Sequence, residues 1–263
     1  MCRLLAYLGP PCQLETVLLK PEHSLLVQSY QPREMTAGLL NADGFGVGWY
    51  HPQREVDPFI YRNTQPIWSD VNLESLSRYV ESGCILANVR SATPGQAVQL
   101  SNCQPFQFGK FLGVHNGFIA DFHKTLYRPI RDRLSDTSYQ SIQGNTDSEH
   151  IFALLWDYWL ADPTAPLEAA LQKTLNLLLD SAQIQQVRVG LNLIVSDGKQ
   201  LIAARCAYPN LAPSLYWLRD DLASGVLVAS EPLFSGRDWI SCPENTIVVI
   251  GEDFDLQTHP LTA

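Results

Sequence analysis

Cysteine at position 2 stands directly behind the initiator methionine. A residue that small permits aminopeptidase removal of Met1, which leaves one residue carrying both a thiol and a free α-amine. The thiolate is the reacting form of cysteine, and an ordinary thiol with a pKa of ~8.5 is only slightly ionised at neutral pH. The α-amine titrates near ~7.7–8.0, so it can take the thiol proton without a histidine, as N-terminal threonine nucleophiles do. The plainer alternative is a cysteine that merely falls at position 2.

Three further segments carry residue types suited to acyl-transfer chemistry. Asn88-Val89-Arg90-Ser91-Ala92-Thr93 closes an apolar run with an arginine and two hydroxyls. The planar guanidinium suits bidentate binding of a carboxylate, although an arginine at a strand end also serves as a surface residue. His115-Asn116-Gly117 follows another apolar run. An Asn amide and the backbone N–H of the next glycine can stabilise an oxyanion, while the same dipeptide also makes an ordinary turn. In Gly144-Asn145-Thr146-Asp147-Ser148-Glu149, Asp147 could pair with a ligand ammonium or only complement a helix N-terminus. Gly44-Phe45-Gly46-Val47-Gly48 is followed by Trp49-Tyr50-His51-Pro52 rather than by a helix, so it fails as a dinucleotide loop. Asp43-Gly44 reads instead as a turn near the floor of a site.

The elements that must hold these residues are legible from pattern. Cys2 to Leu8 is a buried strand closed by Gly9-Pro10-Pro11. Gly46 to Tyr50 and Phe59 to Arg62 are strands connected through His51-Pro52 and Asp57-Pro58. Asp70 to Val80 is a helix, and Cys84 to Arg90 and Phe111 to Val114 are buried strands. Thr146 and Glu149 form a capping-box pattern that opens a helix. A second helix starts near Pro166, placed in its first turn, with Leu167, Leu171, Leu175 and Leu178 on one face. Strands follow at Val187 to Val195, Gln200 to Arg205, Leu215 to Leu218, Val226 to Ala229 and Thr246 to Ile250, the first two joined by an Asp197-Gly198 turn. Strands, a helical middle and strands again suit an α+β fold of two packed sheets with helices outside.

With 263 residues the chain has room for a sizeable core. Its net charge of −9 argues against nucleic-acid and anionic-membrane partners. No apolar run reaches the length of a membrane span, and Leu4 to Leu8 is too short for a signal-peptide core. A soluble, cytoplasmic protein is expected. The six cysteines include no C-x-x-C pair and the six histidines are equally dispersed. Neither a disulfide framework nor a zinc site is therefore expected, and most of the cysteines read as small core residues.

Taken in order, Cys2, the arginine segment, the Asn-Gly segment and the Asp147 segment resemble the class II glutamine amidotransferases of the N-terminal-nucleophile hydrolase superfamily. The resemblance implies an α+β four-layer αββα sandwich of two antiparallel sheets. It implies Cys2 as nucleophile through a thioester, its own α-amine as base, and Asn116 and Gly117 as the oxyanion hole. Arg90, helped by Thr93, would hold the glutamyl α-carboxylate, and Asp147 the α-amine. Asn102-x-x-Pro105 matches a structural segment of the family. Ser91 and Pro94 stand where the family often has Trp and His; these positions shape the pocket entrance and bear on substrate choice.

Val27 to Arg33, Gly38 to Trp49 and Val89 to Thr93 further resemble the ergothioneine-biosynthesis amidohydrolases, which release glutamate from γ-glutamyl-hercynylcysteine sulfoxide. Specific motifs run from Cys2 to about Glu149 and thin into general pattern beyond. The implied organisation is a single domain of this type over residues 2–263 with Met1 removed. It would act on a small-molecule γ-glutamyl substrate with no cofactor and no metal, and homo-oligomerisation stays open. The motifs and sheet-forming remainder occupy the whole chain and leave no synthase domain, so water is the expected acceptor. Competing readings are a glutaminase subunit, a γ-glutamyl peptide or glutathione hydrolase, a papain-like pairing of Cys84 or Cys103 with His115, and a non-catalytic binding module. The trimethylammonium of the sulfoxide substrate calls for aromatic faces at the pocket mouth. Trp49, Tyr30 and Trp68 flank the matching motifs, though ordinary core packing is the more common role for each.

Overall fold

The computed structural model describes residues 2–35, 38–51, 57–93, 95–220 and 225–261. Met1, Pro52 and Pro94 lie outside the described residues. The first half of the chain gives β1 (Arg3–Gln13), α1 (Leu14–Leu18), α2 (Leu25–Tyr30), β2 (Phe45–Trp49), β3 (Phe59–Asn63), α3 (Leu73–Tyr79) and β4 (Glu81–Val89). The middle gives β5 (Phe106–Phe108), β6 (Phe111–Ile119), α4 (Tyr127–Arg131), α5 (Asp136–Ser141), α6 (Asp147–Ala161) and α7 (Leu167–Gln185). The last part gives β7 (Val189–Ser196), β8 (Leu201–Tyr208), β9 (Tyr216–Asp220), β10 (Gly225–Ala229), β11 (Ile240–Ser241), β12 (Thr246–Ile250) and β13 (Leu256–Pro260).

The strands form two antiparallel sheets, ordered β11-β9-β10-β1-β4-β2-β3 and β13-β12-β8-β7-β6-β5. Side chains alternate across each strand, which sorts the core into three layers. Leu4, Ala6 and Leu8 of β1 pack between the sheets against Leu112 and Val114 of β6. Leu5 and Tyr7 face the other way, onto Leu14, Leu18 and Leu25 of α1 and α2. On the far side of the second sheet, Leu191 and Leu193 of β7 meet Ile151 and Leu155 of α6 and Leu171 and Leu175 of α7. The αββα layering expected from the resemblance is thus present.

Among the boundaries that differ from the sequence expectation are three at prolines or a glycine. β1 does not stop at Gly9-Pro10-Pro11 but continues to Gln13. A register shift against β4 between Leu8 and Cys12 absorbs the prolines, and the Tyr7 hydroxyl donates to the Pro10 carbonyl at 2.7 Å. Pro166 is the residue before the first turn of α7 rather than within it. His115-Asn116-Gly117 does not follow a strand; it lies inside β6, paired with Leu193, Asn192 and Leu191 of β7. The Asp197-Gly198 turn does join β7 to β8, with Gly198 at φ +90°. Among the described residues, no helix is long and apolar enough to cross a membrane.

Candidate active site

Cys2 lies immediately before β1, and the even residues of β1 that follow it point between the sheets. Its thiol lies 3.8 Å from the Ser91 carbonyl, just beyond β4. The backbone at this point is fixed from both faces of β1. On the inner face the Leu4 N–H donates to the Ser230 hydroxyl at 3.0 Å. On the outer face Arg3 Nε donates to the Cys2 carbonyl at 2.7 Å and Arg3 Nη1 to Glu231 at 2.9 Å.

Cys2, Arg90, Thr93, Gly117 and Asp147 line one pocket, with Gln96, Gln104, His115 and Ser148 also in its wall. Five of the six residues singled out by sequence therefore converge, although the first and last are separated by six strands of the two sheets and five short helices. Arg90 is 3% exposed. Its guanidinium donates to the Asp43 and Ala97 carbonyls and to Gln96 Oε1, each at 3.3 Å. Its backbone is clasped by Asp43-Gly44, since the Asp43 N–H donates to the Arg90 carbonyl and the Arg90 N–H to the Gly44 carbonyl. Asp43 also accepts from the Ala92 N–H at 2.8 Å. Among the described residues Arg90 has no carboxylate partner within ion-pair distance, and the acceptors of this buried cation are all neutral. That arrangement favours an incoming carboxylate, because an unbalanced buried charge is costly.

Asp147 is the first residue of α6. Thr146 caps that helix by accepting from the Glu149 N–H at 3.2 Å. Glu149 does not complete the reciprocal half of the box; its carboxylate instead accepts from the Gln143 and Gly144 N–H groups at 2.8 and 2.7 Å. The Asp147 carboxylate accepts from the Ile119 N–H at 2.8 Å and from the Ser148 N–H at 2.9 Å. It is 8% exposed and keeps further lone pairs toward the pocket.

The backbone of β6 carries the glycine N–H that was singled out in the sequence. The His115 N–H points away from β7 to Gln104 Oε1 at 2.5 Å, and the Ile119 N–H points the same way to Asp147. Alternation in an antiparallel ladder places the Gly117 N–H on that same edge, midway between them. Strand β5 pairs only with Phe111 to Gly113, so among the described residues no strand covers this edge at Gly117. A Cβ at 117 would collide with the Gly190 carbonyl and with His115 Nε2. Glycine is thus demanded by packing as well as by access.

Asn116 is the exception. Its side chain lies on the other face of β6, between the sheets, fully buried, with Nδ2 3.2 Å from Ser230 Oγ and Oδ1 without a partner among the described residues. It shares that inter-sheet face with the β1 positions that continue from Cys2. The papain-like pairing is contradicted by the geometry. His115 Nε2 meets the Gly190 carbonyl at 3.1 Å and Nδ1 meets Ser148 Oγ at 2.9 Å. Burial pushes its pKa down, so the ring is held neutral with Nε2–H donating to the carbonyl and Nδ1 accepting. The Cys84 thiol contacts Ser196, and the Cys103 thiol contacts the carbonyls of Asn63 and Gln99. Burial raises both thiols.

None of the three aromatic candidates lines the pocket. Trp49 packs on Phe59 at 4.8 Å, at the end of β2 remote from Arg90. Tyr30 and Trp68 form an edge-to-face pair at 6.0 Å, both exposed. Sequence reasoning missed Gln96, Gln104, Ser230, Arg3 and Glu231. The nearest signal was the Asn102-x-x-Pro105 segment that contains Gln104. Asn102 itself ties the arginine loop to the Asp147 loop, donating to the Ala97 carbonyl and to Asn145 Oδ1 at 2.9 Å each.

Residues 1–220 match the family model for class II glutamine amidotransferases. The chain is 30% identical to the probable glutamine amidotransferase DUG3 of Saccharomyces cerevisiae, covering 99% of this chain and 84% of that protein. It is 32% identical to the γ-glutamyl-hercynylcysteine sulfoxide hydrolase of Mycobacterium tuberculosis, covering 95% and 93%. Among solved structures, the glutamine aminotransferase class-II domain protein of Silicibacter pomeroyi superposes with a TM-score of 0.72 at 27% identity over the whole of both chains. The allosteric regulatory enzyme of purine biosynthesis shares the fold, with a TM-score of 0.69 at 16% identity, over about half of its own chain.

Proposed function

The chain belongs to the class II glutamine amidotransferases, and on that premise we propose that it hydrolyses the γ-glutamyl amide of γ-glutamyl-hercynylcysteine sulfoxide, releasing glutamate and hercynylcysteine sulfoxide. The observation that carries this reading is the convergence of Cys2, Arg90, Thr93, Gly117 and Asp147 on one pocket. An uncompensated guanidinium and a carboxylate on one pocket wall suit the α-carboxylate and α-amine of a glutamyl group.

In this reading the mature protein begins at Cys2 as a single catalytic domain. The α-amine takes the thiol proton, and the thiolate adds to the γ-carbonyl. The developing oxyanion is met by the Gly117 N–H and by the Asn116 amide. Collapse expels the leaving amine, which takes the proton back from the α-ammonium, and a γ-glutamyl thioester remains on Cys2. Water, deprotonated by the same amine, then hydrolyses the thioester to glutamate and restores the thiol. Arg90 and Thr93 hold the α-carboxylate, Asp147 the α-amine, and no cofactor or metal takes part.

A second reading keeps the chemistry and changes the leaving group. The comparable identity to DUG3 favours another γ-glutamyl amide, glutamine included. Comparing γ-glutamyl-hercynylcysteine sulfoxide, glutathione and glutamine on the purified protein by mass spectrometry separates the two. The sulfoxide should lead by orders of magnitude in kcat/KM, with glutamate released and no free ammonia. Glutamine turning over fastest with ammonia released would overturn the proposal in favour of the second reading.

A further inference from the structure

Asn116 on β6 and Ser230 just after β10 meet between the two sheets, in surroundings where both side chains are fully buried. A hydroxyl has one proton to give and two lone pairs to receive with. The Leu4 N–H occupies one lone pair of Ser230 Oγ at 3.0 Å. With Asn116 Nδ2 on the other at 3.2 Å, the hydroxyl proton has no acceptor among the described residues and Asn116 Oδ1 is buried without a partner. A half-turn of the amide exchanges its oxygen and nitrogen at almost no change in shape. The hydroxyl proton and Oδ1 are then paired: Leu4 N–H donates to Ser230 Oγ, Ser230 O–H donates to Asn116 Oδ1, and the buried amide NH2 becomes the group that lacks a partner among the described residues.

We propose that Ser230 is a positioning residue for the oxyanion amide, its hydroxyl donating to Asn116 Oδ1 and thereby presenting Nδ2 to the carbonyl under attack. The inference rests on the reading of Asn116 as an oxyanion donor. The anchor of this relay is the Leu4 N–H, two residues from Cys2 along β1, so the strand that carries the nucleophile also orients the donor that answers its attack. Ser230 is further fixed through its own backbone, its N–H donating to the Leu4 carbonyl and its carbonyl accepting from the Ser214 hydroxyl at 2.8 Å.

The test is a double-mutant cycle on kcat and KM, using whichever of the three substrates the comparison above ranks first. Asn116→Ala should lower kcat about a hundredfold or more, as loss of an oxyanion donor does. Ser230→Ala should lower kcat about tenfold with KM within about twofold. Added to Asn116→Ala, it should change kcat less than about twofold, because the amide it orients is gone. Ser230→Cys keeps a weak donor and should fall between Ser230 and Ser230→Ala. If Ser230→Ala lowers kcat by the same factor in both backgrounds, Ser230 acts on the Cys2 strand alone and the proposal fails. If Ser230→Cys is slower than Ser230→Ala, the hydroxyl proton is not what matters and the proposal fails as well. An unchanged kcat in Asn116→Ala itself would overturn the oxyanion reading beneath it.

Discussion

Arg3 and Glu231 meet at 2.9 Å on the outer face of β1, both fully buried, one residue from the nucleophile position. Glu231 also meets His23 Nε2 at 2.6 Å and accepts from the Arg33 and Glu34 N–H groups at 2.8 and 3.0 Å. One carboxylate therefore joins the Cys2–Arg3 segment to the segments before and after α2. Burial alone would raise its pKa. The bond from His23, the two backbone N–H groups and the Arg3 charge outweigh burial and bring it down from 4.5 to about 2.

Because the folded-state pKa lies below the unfolded one, this group contributes stability that is fully present above about pH 4.5. The contribution fades as pH falls toward about 2. Glu231→Gln leaves the Arg3 charge buried and unpaired, and should cost about 3–5 kcal/mol at neutral pH. Urea denaturation at pH 7 and pH 3 checks this: the gap between parent and variant should narrow at the lower pH. A gap independent of pH would mean that the charge of Glu231 is not what holds β1.

Arg90→Lys should be poorly tolerated. A single ammonium cannot reproduce the fork that reaches Asp43, Ala97 and Gln96 while presenting donors to a carboxylate. We expect a loss in kcat/KM of at least about tenfold, or ~1.4 kcal/mol, expressed mainly in KM. Steady-state kinetics with parent and variant measures it, and substrates lacking the α-carboxylate should show no such penalty.

Asp147→Asn separates a ligand-binding carboxylate from a helix-start residue. The amide oxygen can keep the bond from the Ile119 N–H, so the bonds from the Ser148 N–H and hydroxyl are the ones lost, at about 1 kcal/mol of stability. Activity toward γ-glutamyl substrates should fall steeply. Analogues without the α-amine should be turned over feebly by the parent and be nearly indifferent to the change. Equal harm to both kinds of substrate would make Asp147 a structural residue.

The layers were readable in the sequence because apolar periodicity reports burial directly; β12 was expected over the very residues it spans. Local cues misled where distant partners decide. Asn116-Gly117 resembles a turn, yet β7 arrives after the helical middle and pairs straight through it, with the Gly190 carbonyl taking the space a side chain would need. Pro10-Pro11 resembles a strand end, yet a register shift lets β1 continue. Residue chemistry picked out Arg90 and Asp147, because a charged group beside an apolar strand or a helix start is conspicuous. Nothing local distinguishes Ser230 or Glu231, whose partners Leu4 and Arg3 lie 226 and 228 residues away.

The central claim is that Cys2, freed of Met1, carries the glutamyl group during turnover. Intact-mass measurement of the purified protein, followed by acid quench during turnover of the best of the three substrates, tests it most directly. The account predicts a mass without the initiator methionine and without acetylation. It also predicts a single glutamyl adduct that maps to the N-terminal peptide and is absent in Cys2→Ala. Fully active protein that retains Met1, or an adduct on any other cysteine, would contradict it.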